Sequence, residues 1–479
     1  MDETYDVVVV GAGLSGIGAA CHLARESPEE SVVVLEARDR VGGTWDLFRY
    51  PGVRSDSSMF TYAYDFAPWP GPTALAEGGD ILAYLEETAR AYGVDERVRL
   101  GHRVIRAAWS SADERWRVTV AHGDGERESE VVCRFLWMCT GYYRYDHGHV
   151  PELAGREDFT GRVVHPQAWP ADLDVAGRDV VVVGSGATAV TLVPALVDRG
   201  ARVTMLQRSP SYVASVPRVE PRPGRLTRLR SVVTQTGLYK LSRRAPRLVR
   251  AGLLRDATRR LPPGYDVGTH FTPRYDPWDQ RLCVAPDGDL FAAISTGRAE
   301  VVTGTVDRLV PGGVRTAAGR VLPADVVVTA TGLELLALGG LELVVDGEVV
   351  DPAGRLAWRG LMLEGVPNCA VTLGYSAASW TLRADLVARF VTRLLGTMRR
   401  RGLATVTPVA PDRPQRRRPL LALRAGYVLR DAARLPSQGE RHPWVVRQDP
   451  VRERVSFALR RRTTGLRLER PRRPAGAAR

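Results

Sequence analysis

At 479 residues, with 44% hydrophobic and 25% charged side chains, the chain has the make-up of a globular protein and is too long for one hydrophobic core, which excludes a disordered or single-core design. Its formal net charge of +13 comes overwhelmingly from arginine, concentrated over Arg222–Arg260 and from Arg413 onward. Neither cluster carries a nucleic-acid module or interleaved stacking aromatics, so no nucleic-acid partner is expected; solvated helix faces or peripheral contact with an anionic membrane surface fit better.

In chain order, Tyr5–Val10 is an apolar run that reads as a buried strand, and it leaves no room for a secretion leader before it. The strand runs into Gly11-Ala-Gly13-Leu-Ser15-Gly16 and then a helical pattern through Ala19, Ala20 and Leu23. In that setting Gly-x-Gly-x-x-Gly marks a dinucleotide site. Gly11 permits the tight turn, Gly13 lets backbone approach a pyrophosphate, and Gly16 lets helix and strand pack closely. A second strand, Ser31–Leu35, ends at Glu36, about 20 residues past the turn, where a carboxylate accepts hydrogen bonds from a ribose. The polar, glycine-rich stretch Gly42–Asp46, Tyr50–Gly52 and Arg54–Asp56 has neither helical nor strand period and reads as a loop carrying chemistry.

Further on, Phe159-Thr-Gly161-Arg-Val-Val-His165-Pro-Gln-Ala-Trp169-Pro170 precedes a second unit, in which strand Asp179–Val183 opens into Gly184-Ser185-Gly186-Ala187-Thr188-Ala189. A lone His165 reads as a residue that orients backbone rather than as a general base. The following strand, Arg202–Gln207, ends in Gln207-Arg208-Ser209, a cation and a hydroxyl where the first unit has Glu36. A guanidinium pairs with the 2'-phosphate of NADPH, a contact NADH cannot make, so NADPH is expected at this second site. The five cysteines lie far apart with no Cys-x-x-Cys pair, and neither a metal site nor dithiol chemistry is expected. No apolar run reaches the roughly 20 residues that span a bilayer. A cytoplasmic protein is expected.

Two glycine turns bracketing the Phe-x-Gly-x-x-x-His-x-x-x-Trp-Pro string resemble type I Baeyer-Villiger monooxygenases, within the flavin-containing monooxygenase group. Gly42–Gly52, Asp279-Gln-Arg281-Leu-Cys283, Thr329-Ala-Thr-Gly332 and Gly374–Trp380 extend the resemblance along nearly the whole chain, most of all toward mycobacterial members. The resemblance implies an α/β fold of two dinucleotide-binding, Rossmann-like domains. The FAD-binding domain would be discontinuous, built from 1–141 and from 332–479, the latter including the Arg-rich tail. An NADPH-binding domain, 142–331, would be inserted between them and carry a helical subdomain over about 216–265. The crossing points would be Cys139-Thr-Gly141 and Ala330-Thr-Gly332.

By the same resemblance, FAD would be held by Gly11, Gly13, Ser15, Gly16 and Glu36 from the first unit. The following loop would add Gly43, Thr44, Trp45, Asp46, Leu47 and Arg54, and the backbone near Val104 would complete the seat. NADPH would be held by Gly184, Ser185, Gly186, Ala187, Thr188 and Ala189, with Gln207 and Arg208. Hydride from NADPH would reduce FAD, and O2 would add to give a flavin peroxide that attacks a ketone, sulfide or thioamide. Arg281 matches the active-site arginine that steadies the anion, and Asp56 the acid that pairs with it. Gln280 stands where many relatives have lysine, which leaves more of the phosphate discrimination to Arg208. An N- or S-oxygenase, a flavoprotein reductase or NADPH oxidase, and a membrane- or partner-binding role for the tail stay open as alternatives; substrate identity and oligomeric state are not legible.

Overall fold

The computed structural model describes residues 3–472 except 124, 126, 221–223, 225, 411–412 and 459–462. Two sheets organise them. Strand β1 (Glu3–Val10) buries Val7, Val8, Val9 and Val10, consistent with a strand covered on both faces. It leads into helix α1 (Leu14–Glu26) and then β2 (Val32–Leu35), which pairs parallel with β1 from Val7↔Val32 to Val10↔Leu35.

Strands β3 (His102–Ser110), β4 (Arg115–His122) and β5 (Arg127–Met138) form an antiparallel meander, and β5 then runs parallel beside β1, Met138 opposite Val10. In β4, buried Trp116, Val118 and Val120 alternate with more accessible Arg117 and Thr119, the period-two signature of a strand covered on one face. Distant chain completes this nine-stranded sheet: Glu342–Val345 pairs with β3 and Cys369–Val371 with β5.

The second sheet has five strands, all parallel. Strand β6 (Asp179–Val183), helix α2 (Ala187–Asp198) and β7 (Arg202–Gln207) repeat the strand–turn–helix–strand unit of the N-terminus. A helical pair follows, α3 (Thr227–Arg244) and α4 (Pro246–Arg260). Ala299–Thr303 then pairs outside β7, and β8 (Val326–Thr329) inserts between β6 and Arg162–Val164.

The chain leaves the first sheet through Cys139–Gly141 and leaves the second through Ala330–Gly332. Each passage abuts a glycine turn. A Cβ on Gly11 would lie 2.9 Å from the Cys139 carbonyl oxygen, and one on Gly184 would lie 2.3 Å from that of Ala330. The last long helix, α5 (Trp380–Arg401), shares one core with α1 through Val387, Val391 and Leu394 against Ile17 and Leu23; each such burial contributes about 1.5–3 kcal/mol. The loop expected over 42–56 contains one helical turn, Thr44–Leu47, preceded by Gly43 at φ +57°. Four residues are too few to show a helical period. Among the described residues no helix is long and apolar enough to cross a membrane.

Candidate active site

A cleft of about 1140 Å³ is lined by both glycine turns. At the first, Gly11 takes φ +99°, and a Cβ on Gly16 would stand 1.8 Å from the Gly11 carbonyl oxygen, so α1 can leave the turn only over a hydrogen atom. Gly13 faces Gly43, whose Cα would lie 3.5 Å from a Cβ at Gly13, and two side-chain-free residues thus present backbone to the cleft. Ser15 Oγ accepts the Trp380 indole N–H at 2.8 Å, which ties the start of α5 to the same turn.

Glu36 is buried, and its carboxylate accepts the backbone N–H groups of Ala12 at 2.6 Å and Arg38 at 2.9 Å. Burial raises its pKa against those bonds. A carboxylate has about four acceptor positions, so capacity for a ribose diol remains. Thr44 Oγ1 shares a hydrogen bond with the Tyr145 hydroxyl at 3.1 Å, and the Trp45 indole donates to the Tyr62 hydroxyl at 2.9 Å. Val104, from β3, lines the same end of the cleft.

At the second turn Gly184 takes φ +141° and Ser185 Oγ donates to the Ser209 carbonyl at 2.8 Å. No heavy atom stands within 4 Å of where a Gly186 Cβ would be, leaving open space before the N-terminus of α2. Ala187 and Thr188 line that space. Arg208, just past β7, is exposed, lines the cleft, and has no ion-pair partner among the described residues. The donor set fits a dinucleotide phosphate, with α2 contributing its positive end.

Between the turns lies a fixed cation. Arg281 grips Asp56 with two nitrogens along one edge of its guanidinium, Nε to Oδ2 and Nη2 to Oδ1, each at 2.7 Å, and Nη2 also donates to Ser57 Oγ at 3.0 Å. Burial disfavours the charge on Arg281, but Asp56 and the surrounding tyrosines together outweigh burial and raise the pKa further above its ordinary value. This group holds charge and does not exchange protons. Around it stand the phenols of Tyr142, Tyr143 and Tyr427, all raised by burial and therefore neutral donors at ordinary pH. The Tyr142 ring packs 5.3 Å from the Trp380 ring.

Several expected contacts lie elsewhere. Asp46, Leu47, Ala189 and Gln207 do not line the cleft. The buried Asp46 carboxylate accepts from Arg38 and Arg49 and pins the loop. Leu47 closes the short helical turn through its backbone N–H to the Gly43 carbonyl. Ala189 is fully buried in the core beneath α2. The Gln207 amide donates to the His270 carbonyl at 2.8 Å and Thr303 Oγ1 at 3.1 Å, which leaves Arg208 as the cleft-facing member of the pair. Gly16 acts through packing. Arg54 does line the cleft, but it is 7% exposed and pairs with Asp289 Oδ2 at 2.7 Å, so its charge is already engaged. His165 lies outside the lining: Nδ1 accepts the Gln167 N–H at 3.2 Å, Nε2 faces the Gly332 carbonyl at 3.3 Å, and burial lowers its pKa.

Trp380, the three tyrosines and Asp289 went unassigned in the sequence. Tyr142 and Tyr143 directly follow the first passage, a position that could have flagged them. Tyr427 and Asp289 are brought in only by tertiary folding.

A family model described as NAD(P)-binding Rossmann-like domain matches residues 9–68, and one described as L-lysine 6-monooxygenase/L-ornithine 5-monooxygenase matches residues 83–216. The chain is 49% identical over 467 residues to the FAD-containing monooxygenase EthA of Mycobacterium tuberculosis, covering 95% of each protein. It is 45% identical over 463 residues to the putative FAD-containing monooxygenase MymA of the same organism, covering 93% of each. In fold it is similar to an oxidized steroid monooxygenase bound to NADP, with a TM-score of 0.75, 23% identity, and coverage of 98% of this chain and 100% of that one.

Proposed function

The chain belongs to the FAD-containing monooxygenases, and on that premise we propose that it uses NADPH, FAD and O2 to insert one oxygen atom beside a ketone carbonyl, giving an ester or lactone, with sulfides or thioamides as further substrates. The observation that carries this reading is the doubly bonded Arg281–Asp56 pair in a cleft reached by both glycine turns. FAD, when bound, supplies the oxygen-activating chemistry. The first turn, Glu36 and the Gly43–Trp45 segment form its seat. The second turn holds the NADPH pyrophosphate, and Arg208 takes the 2'-phosphate.

Arg281 stabilises negative charge as it develops on the reacting oxygens, the kind of preorganised electrostatic contribution that dominates many active sites. Asp56 and Ser57 hold the guanidinium in one orientation, so no reorganisation is needed at the moment of reaction. Tyr142, Tyr143 and Tyr427 exclude water on one side of that charge and present neutral O–H donors to a carbonyl oxygen.

The match of residues 83–216 to the lysine/ornithine monooxygenase model supports a second reading, oxygenation of nitrogen or sulfur without ketone conversion. Product mass separates the two. The purified, FAD-loaded protein is given NADPH under air with matched ketones and sulfides. Esters or lactones one oxygen heavier support insertion at carbon; sulfoxides alone move the assignment to a heteroatom oxygenase; peroxide alone, across the panel, refutes both.

A further inference from the structure

Helix α3 carries both aliphatic and basic side chains on its solvent side. Four of its polar side chains reach the protein body. Arg228 Nη1 donates to the Ala63 carbonyl at 2.9 Å, Gln235 Nε2 to Thr61 Oγ1 at 3.2 Å, and Arg243 to Asp279 at 2.8 Å, while Lys240 pairs with Asp449 at 2.9 Å. Its aliphatic side chains face outward: Leu226 just ahead of the helix is 67% exposed, Leu229 59% and Val233 57%, with Leu238 and Leu241 also exposed. Leu248, 64% exposed, continues the row onto α4. At 3.6 residues per turn, Leu226, Leu229, Val233 and Leu241 fall on one side of the helix, opposite Arg228 and Gln235. Exposed aliphatic side chains clustered in this way mark an interaction site.

Charge identifies the partner. From Arg222 to Arg255 the chain has ten basic residues and no acidic one. Exposed Arg230 and Arg244 lie among the leucines on that side, and exposed Arg247 follows at the start of α4. A second copy of the chain would bring the same cations and be repelled. A nucleic acid would satisfy the arginines and leave the leucines in water. An anionic lipid surface satisfies both, headgroups taking the arginines and the acyl boundary the leucines.

We infer that the α3–α4 hairpin docks this protein on anionic bilayers with α3 lying in the interface plane. The inner side of α3 rests on Met59–Tyr62 and on Asp279, and Tyr62 and Arg281 both line the cleft. The docked face therefore lies one helix away from residues that line the active cleft, a short path for apolar substrate drawn from the lipid. That last consequence rests on the monooxygenase reading; docking itself does not.

The test is flotation of the full-length, FAD-loaded protein with vesicles of phosphatidylcholine alone or with equal parts phosphatidylglycerol. Two triple variants accompany it: Leu229→Ser/Val233→Ser/Leu241→Ser, and Arg230→Glu/Arg244→Glu/Arg247→Glu. Retained FAD and unchanged NADPH oxidation with a water-soluble substrate establish that each variant is folded. Wild-type protein is expected to float with the anionic vesicles only, and each variant to bind them at least about tenfold more weakly. Failure of the wild type to bind overturns docking, as does undiminished binding by both variants, which would assign the lipid contact to the second arginine cluster. Serine-variant binding that stays at the wild-type level and is displaced by duplex DNA overturns it in favour of nucleic acid.

Discussion

Arg281 is held by two bonds to Asp56 and one to Ser57, so removing it deletes a charge whose position is built in advance. Arg281→Ala is expected to lower ketone turnover by at least ~100-fold with FAD still bound, read by product mass and by the flavin absorbance of the purified variant. Lysine restores charge but not the forked grip, so Arg281→Lys should recover only part of the activity. Arg208→Ala removes one or two charge-assisted bonds of about 1.5–3 kcal/mol each. The expected rise in KM is at least ~10-fold for NADPH and negligible for NADH; equal rises would place the 2'-phosphate elsewhere. That Arg208 faces the cleft was legible from its place just past the strand that follows the second glycine turn. Its neighbour Gln207 was not, since whether a strand-end residue turns in or out depends on His270 and Thr303, distant in sequence.

The unit β1–α1–β2 was legible in full because strand, turn and helix are each written in local pattern, and Gly16 shows why the turn tolerates no substitution. Gly16→Ala forces a methyl group against the Gly11 carbonyl and is expected to cost about 1–3 kcal/mol, measured as a lower thermal midpoint together with flavin lost on gel filtration. The contact of α1 with α5 carries a pH dependence that no local pattern announced. His22, fully buried on α1, meets Glu26 at 2.9 Å and Asp385 of α5 at 3.4 Å. Burial opposes its charge, but the two carboxylates raise its pKa above the ordinary 6.5. The stabilisation is therefore complete below pH 6.5 and lost as pH rises through the higher folded value. Glu26, held down to about 2 mainly by His22, contributes above pH 4.5 and loses that contribution as pH falls toward 2. In thermal melts between pH 6 and 9, the wild-type midpoint should fall more steeply than that of His22→Asn; parallel curves would refute the linkage.

Across the whole molecule, the long-range arrangements were the least legible: Arg54 reaching Asp289 of the second unit, Tyr427 arriving beside Tyr143, and α3 turning its leucines to solvent. The first two need the completed fold, and the third sets leucines in solvent beside exposed arginines, against the rule that apolar residues turn inward. Both passages between the sheets run past a glycine turn, so ligand binding at either turn should quieten the chain there. Hydrogen exchange of the FAD-loaded protein over 139–149 and 330–336 is expected to slow on adding NADP+; no change would sever cofactor binding from those segments. Because Gly11 and Gly184 lie against the Cys139 and Ala330 carbonyls, one added methyl at either strikes a turn that lines the cleft and a passage between sheets in the same event. For a lineage drifting under selection these two codons are joint controls, and a mutational scan should find each as intolerant as the two roles combined.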